Sequence, residues 1–249
     1  FILDGIINVL KMVSIFLRKW FMNNKFIRID RKTLIRLSKD KQTSDKNSES
    51  INMTYIIKNP IIRYIWWSRL NTMLKLAFKE QGVRVLDFAC GEGVFLPSLS
   101  ANFKTVDAVD IDIDIAKNVK KEFKLDNVNI FEDNIYETKL KDNYYDIIFA
   151  ASVLEHFNDV HLIFDSLRKK IKKGGALIFS SPSENYIYRF GRLVTGFNKY
   201  NNTVHIHYFG SKELADIAKT KFSLIKKVST PIKFLPFFDL HNVYLFKND

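Results

Sequence analysis

Two aspartates and the small-residue turn between them are the part of this chain best suited to chemistry. Asp87 ends an apolar, β-branched run, and Ala89, Gly91 and Gly93 follow it in V-R-V-L-D-F-A-C-G-E-G-V-F-L-P. Asp110 closes the next such run, 17 residues after Gly93. Glycines at such a turn let the backbone approach a ligand where a Cβ would collide, and the helix start behind them offers unpaired N–H groups. An acid at the end of the second strand of an open α/β sheet is placed to accept hydrogen bonds from ribose hydroxyls. A dinucleotide loop would put a third glycine at Val94 or Leu96, and no G-x-x-x-x-G-K-S/T loop for a nucleoside triphosphate occurs.

Two further groups of residues stand near the end of the chain. His205 and His207 in T-V-H-I-H-Y-F-G-S-K-E-L fall on one side of an extended segment, as a general base would require, or as residues that fix a lid by hydrogen bonding. A third ligand is missing, so the pair is not read as a metal site. The segment 183–202 is long for a connection and rich in Tyr, Phe and Arg, which suits a lid or an acceptor site. Tyr186, Tyr188, Arg189, Arg192 and Tyr200 are its candidates for acceptor selection. The two arginines could meet a phosphate or carboxylate, or stay solvated. Cys90, the single cysteine, excludes an intrachain disulfide and reads as a small buried filler inside the turn.

The elements that position these residues alternate. Strands are expected over 83–88, 105–110, 128–131, 145–150 and 176–180, with helices over 93–102, 112–124 (N-cap Asp112) and 160–171, the last stopped by Lys-Lys-Gly-Gly. A helix over 211–219 and strands over 222–228 and 243–247 follow. A helix over 61–78 precedes the first strand, and the pair Trp66 and Trp67 on it reads as core. Strand and helix in alternation imply a parallel sheet covered on both faces.

Domain organisation divides at about residue 50. The net charge of +12 is concentrated before Pro60, with 12 Lys and Arg against 5 Asp and Glu, whereas the remainder has 27 against 22. In 1–22, Asp4, Asn8, Lys11, Ser14 and Arg18 make one polar stripe on an otherwise apolar helix. Asp4 and Lys11 interrupt it, so a transmembrane span is not expected, and no small-residue cleavage site follows for a secretory signal. Its broad apolar face and the following Lys25, Arg28, Arg31, Lys32 and Arg36 suit peripheral contact of 1–36 with an anionic membrane; packing on the catalytic domain or a second subunit is the equal alternative. The polar run 38–50 reads as a flexible linker. Residues 51–249 are expected to form the main folded domain, with a cytoplasmic setting implied by cysteine usage and composition.

The D-x-A-C-G-x-G loop resembles motif I of the class I S-adenosylmethionine (SAM)-dependent methyltransferases. Y-D-I-I-F-A-A-S-V-L-E-H-F at 145–157 resembles the stretch after the fourth strand in the small-molecule branch, of the type 11 or ubiquinone/menaquinone-biosynthesis kind, and the histidine segment resembles that of its lipid- and quinone-type members. The resemblance covers about residues 60–249. It implies a Rossmann-like, doubly wound seven-stranded sheet with an antiparallel last strand, SAM as cofactor, and methyl transfer to a small-molecule or lipid-linked acceptor. By position it places Asp87, Ala89, Gly91, Gly93 and Asp110 on the cofactor, Ile111 against its adenine, Asp133 and Asn134 at the adenine amine, and Ala150 and Ala151 beside its methionine part. Exocyclic base-amine enzymes resemble one another in an N/D/S-P-P-Y/F motif where this chain has Ala150-Ala151-Ser152-Val153, so nucleic acid is not the expected acceptor. An RNA-modifying enzyme using the basic N-terminus and a non-catalytic SAM-binding protein are the alternative readings.

Overall fold

The computed structural model describes residues 25–38, 53–77, 82–134, 140–183, 208–231 and 239–249. The expected helix at 1–22, nearly all of the linker, the segment 184–207 with Tyr186, Tyr188, Arg189, Arg192 and Tyr200, and both His205 and His207 lie outside the described residues.

Seven strands form one sheet: β1 (Arg84–Phe88), β2 (Thr105–Asp110), β3 (Val128–Glu132), β4 (Tyr145–Ala151), β5 (Ile171–Pro182), β6 (Ser223–Pro231) and β7 (Asp239–Lys247). Their order is β3-β2-β1-β4-β5-β7-β6, and β7 runs antiparallel to both neighbours while the other pairings are parallel. The described helices are α1 (Arg31–Leu37), α2 (Met53–Ile56), α3 (Pro60–Ala77), α4 (Leu96–Ser100), α5 (Asp114–Phe123), α6 (Val160–Lys170) and α7 (Ser211–Lys219). The strand order reverses between β1 and β4, and in open α/β sheets ligands bind in the crevice at that point, outside the carboxyl ends of the strands.

The inner strands are nearly continuously apolar because helices cover both faces. Val85, Val106, Ile147, Phe149 and Ile178 point into one core with α3, α4 and α5. Their neighbours Leu86, Val109, Ile148, Leu177 and Phe179 point into the other, with α6 and α7. This is the two-residue alternation of strand side chains.

Several expected boundaries move, among them those of the last two strands, which run over Ser223–Pro231 and Asp239–Lys247. The helix after the glycine turn is only Leu96–Ser100, because the turn itself continues through Phe95. Helix α5 begins at Asp114 with Ile113 at its N-cap, not Asp112. The Asp112 amide is instead held by Asp110 Oδ1 at 3.2 Å, which keeps residue 112 in the loop. Strand β5 begins at Ile171 rather than Ala176: the Lys-Lys-Gly-Gly run lies inside the strand as an irregularity, with Gly174 at φ +73° and the register shifting between Tyr145 and Ile147.

Residues 25–38 pack on the same body. Ile27 donates its amide to Ser98 Oγ at 2.9 Å, and Lys25 and Asn102 exchange two hydrogen bonds at 3.2 and 3.0 Å. Ile29, Leu34 and Leu37 are buried in the core beside α3 to α5. The expected N-terminal appendage therefore contains a stretch that belongs to the folded domain. Among the described residues, no helix is long and apolar enough to cross a membrane.

Candidate active site

The glycine turn leaves β1 in a left-handed backbone, with Ala89, Gly91 and Gly93 at φ 56°, 51° and 70°. The two glycines have different reasons to be there. A Cβ on Gly93 would lie 2.8 Å from Leu96 Cδ1 and 3.0 Å from Ala116 Cα, so Gly93 lets the turn pack against α5. A Cβ on Gly91 would meet nothing within 4 Å, so Gly91 borders open space at the crevice. The turn is tied to β2 by the Cys90 amide on Val109 O at 3.1 Å and by the Gly91 amide on Asp110 Oδ2 at 2.8 Å.

Asp110 thus does two jobs that sequence spacing did not separate. It braces the glycine turn and holds the Asp112 amide, and a carboxylate has about four acceptor positions, so it keeps capacity for further donors. Burial raises its pKa, opposed by the amides of Gly91, Asp112 and Ile111. Ile111 beside it is 68% exposed. Asp133 reaches the same rim: its amide donates to Asp110 O at 3.1 Å, and its Oδ1 accepts from the Asn134 amide at 2.9 Å. Ala150 is buried and Ala151 half-buried at the end of β4, next to the end of β1 in the sheet.

Asp87 lies deeper, only 2% exposed, and its Oδ2 has no hydrogen-bond partner. Burial, then the Asp110 charge, push its carboxyl up to about 7, against the pull of Arg69. A buried acceptor without a partner is costly unless something fills it.

Arg69 is the site residue that sequence reasoning missed. It projects from α3, is 3% exposed, donates through Nη1 to Ser152 Oγ and through Nη2 to Tyr55 OH at 2.8 Å, and leaves Nε unpartnered. Its guanidinium lies 4.7 Å from the centre of the Trp66 ring, which also meets the buried His241 at 4.8 Å and Tyr55 at 6.2 Å. Burial and Arg69 hold that imidazole far below its usual pKa, hence neutral. Trp67 is core, as expected, packed on Tyr55 and Phe26. The one available signal for Arg69 was an arginine set among the apolar positions of W-W-S-R-L-N-T-M-L. Ser152, which receives Arg69, has φ 54° and donates its amide to Ser180 O at 3.0 Å, joining the ends of β4 and β5. Non-glycine residues held in this region cluster at functional sites.

Glu155 is buried, and its carbonyl accepts the Tyr208 amide at 2.8 Å, which anchors the chain just after 184–207 against the end of β4. Cys90 is buried with its thiol pKa pushed well up by burial and the neighbouring acids, the opposite of a nucleophile's environment. Near the switch point the chain thus has a buried carboxyl and a buried guanidinium that act on each other electrostatically, and a braced glycine turn. Such a crevice can hold a nucleoside that carries a zwitterionic tail.

Known proteins resemble this chain in sequence and in fold. A family model described as a methyltransferase domain matches residues 61–221. The ubiquinone biosynthesis O-methyltransferase of Coxiella burnetii (strain Dugway 5J108-111) is 28% identical over 186 residues, covering 64% of this chain and 79% of that protein. The malonyl-[acyl-carrier protein] O-methyltransferase of Priestia megaterium is 28% identical over 115 residues, 45% of this chain and 42% of that protein. The chain thus spans most of the first relative and less than half of the second. Among solved structures, the N-methyltransferase NodS from Bradyrhizobium japonicum WM9, in complex with S-adenosyl-l-homocysteine (SAH), matches with a TM-score of 0.60 at 18% identity, over 91% of this chain and 99% of that one, a likeness of fold.

Proposed function

The chain belongs to the methyltransferase domain family as a SAM-dependent enzyme, and from that premise we propose that it methylates a small or lipid-linked acceptor at the switch point between β1 and β4. The observation that carries this reading is the buried, unpartnered Asp87 Oδ2 beside a glycine turn that Asp110 braces. Asp87 and Arg69 present opposite charges where the amino acid end of the donor carries both, so the ammonium would complete Asp87 and the carboxylate would meet Arg69. Asp110 would accept from the ribose hydroxyls and Ile111 would cover the adenine, with Asp133 and Asn134 at its amine. Ala150 and Ala151 would leave room for the methionine part, and Gly91 for the close approach of the backbone.

SAM supplies a methyl group on a sulfonium, an activated leaving group. The chain has to hold the acceptor atom in line with that bond and exclude water, which in favourable cases is worth effective molarities on the order of 10⁵ M. Both curated relatives bear the names of O-methyltransferases, which makes an oxygen acceptor the first to test. A hydroxyl acceptor also has to lose a proton, and His205 or His207 is our candidate base. Tyr186, Tyr188, Arg189, Arg192 and Tyr200 are our candidates for acceptor selection, on the strength of the long segment they occupy and the anchor of its end on Glu155.

Calorimetric titration with SAM and with SAH tests the donor site. Micromolar binding to the wild type, weakened at least tenfold in Asp110→Ala, is expected; a folded protein that binds neither would remove the reading.

A further inference from the structure

Tyr55 lies ahead of residues 61–221, the stretch that the methyltransferase family model matches, yet it is built into the folded body beside the glycine turn. It sits on α2, four residues long and too short to hold itself by its own hydrogen bonds. Two arginines fasten that turn from either side. Arg31 of α1 donates through Nε to Ile56 O at 2.6 Å, and Arg63 of α3 donates through Nη1 to Ile57 O and, at 2.9 Å, to Lys58 O. Tyr55 itself is 3% exposed, with its ring 4.8 Å from Trp67 and 6.2 Å from Trp66. Together with Ile56 it lines a narrow cleft shared with Glu92 and Val94 of the glycine turn.

Packing explains the ring but not the hydroxyl, since a phenylalanine would make the same aromatic contacts. The hydroxyl accepts from Arg69 Nη2 at 2.8 Å, and among the described residues its own proton goes to no acceptor. Burial raises its pKa, so that proton stays on the oxygen. Tyr55 is also near enough to Glu92 and Asp87 for both charges to act on it. Arg69 gives Nη1 to Ser152 just after β4 and keeps Nε buried and without a partner. The Trp66 ring, 4.7 Å away, and the two hydrogen bonds leave the guanidinium little freedom to turn. A hydroxyl and a guanidinium fixed to one another, each with a buried donor to spare, make a receptor for a carboxylate.

Given the donor site proposed above, on which this inference rests, we propose that Tyr55 is a further donor-binding residue. Its hydroxyl gives its proton to the carboxylate of the donor's amino acid arm, beside Arg69. The stretch ahead of the matched domain then forms part of the donor site. The consequence is selectivity: Tyr55 serves ligands that carry the arm and is indifferent to those that lack it.

The test titrates the full chain calorimetrically with SAH and with methylthioadenosine, the same adenosine thioether with a methyl group in place of the amino acid arm. Tyr55→Phe keeps the ring and removes the hydroxyl. It should weaken SAH on the order of tenfold, as loss of a hydrogen bond to a charged group does, and leave methylthioadenosine within about twofold of wild type. In an Arg69→Met background, itself weakened toward SAH, Tyr55→Phe should cost less than about threefold more, because both donors hold one carboxylate. Methylthioadenosine binding reports an intact fold in each variant. Equal weakening of both ligands by Tyr55→Phe would make the hydroxyl a purely structural group, and unchanged SAH affinity would make it idle toward the donor. Fully additive losses in the double variant would place it away from the carboxylate. Each of these outcomes overturns the proposal with the donor site intact. A folded wild type that binds neither ligand would remove the donor site, and the role of Tyr55 with it.

Discussion

At the residue scale, the decisive groups are two carboxylates in different surroundings. Asp110 was legible because its partner is local: an acid at a strand end, at a fixed distance from a glycine turn, is a pattern along the chain. Asp87 was legible as a position but not as a state. Its carboxyl, pushed up to about 7, follows from burial and from Asp110, neither visible along the chain. The sign of the consequence is definite. A carboxylic acid with a raised folded pKa binds its proton more tightly folded than unfolded, so the ligand-free protein loses stability from this group as pH rises from about 4 through about 7. A cationic amine beside Asp87 reverses that loss. Thermal melts should therefore show stabilisation by SAH growing between about pH 5 and pH 8. Asp87→Asn should raise the ligand-free melting temperature at the upper end of that range and flatten its pH dependence, while weakening SAH at least tenfold. Unchanged pH dependence in the variant would show that Asp87 ionises as an ordinary surface acid.

At the element scale, the glycine turn works by contact with the helices behind it. Gly93 lies against α5 and α4, at φ 70°, with no room for a methyl group against the Ala116 backbone. Gly93→Ala should cost about 1–3 kcal/mol, through left-handed strain and overpacking together. A lower denaturation midpoint with an unchanged slope would verify it, and a stability equal to wild type would show that α5 yields. Strand and helix order was readable because hydrophobic periodicity is a local signal. The contents of α3 were not. Arg69 acquires its meaning from Tyr55, 14 positions away, and Ser152, 83 positions away, and periodicity along α3 registers it only as a polar interruption. The start of β5 was misjudged for a related reason: Lys-Lys-Gly-Gly has the composition of a helix stop, and only pairing with β4 carries it into the sheet as an irregular strand.

For the whole molecule, topology sorts charge. The groups proposed to hold the donor collect at one end of the sheet, while exposed lysines collect at the other. The first arrangement could be anticipated from strand order, because the switch point follows from chain reversal. The second could not, since Lys104, Lys124 and Lys173 are scattered in sequence and share a face only after the strands are aligned.

The clasp of Lys25 and Ile27 on α4 defines where a minimal enzyme begins. Composition alone would invite a truncation at the polar run near residue 50. Such a piece would uncover Ser98, Asn102 and the apolar seat of Ile29, Leu34 and Leu37, a loss of about 5 kcal/mol of burial. It would also remove support from a five-residue helix whose other end is the glycine turn. A chain starting at residue 51 should melt well below one starting at residue 25 and aggregate on heating; equal melting temperatures would show the clasp to be dispensable. A stretch that sequence composition assigns to an appendage can be part of the foundation, and trimming by linker composition would discard the piece that packs behind the glycine turn.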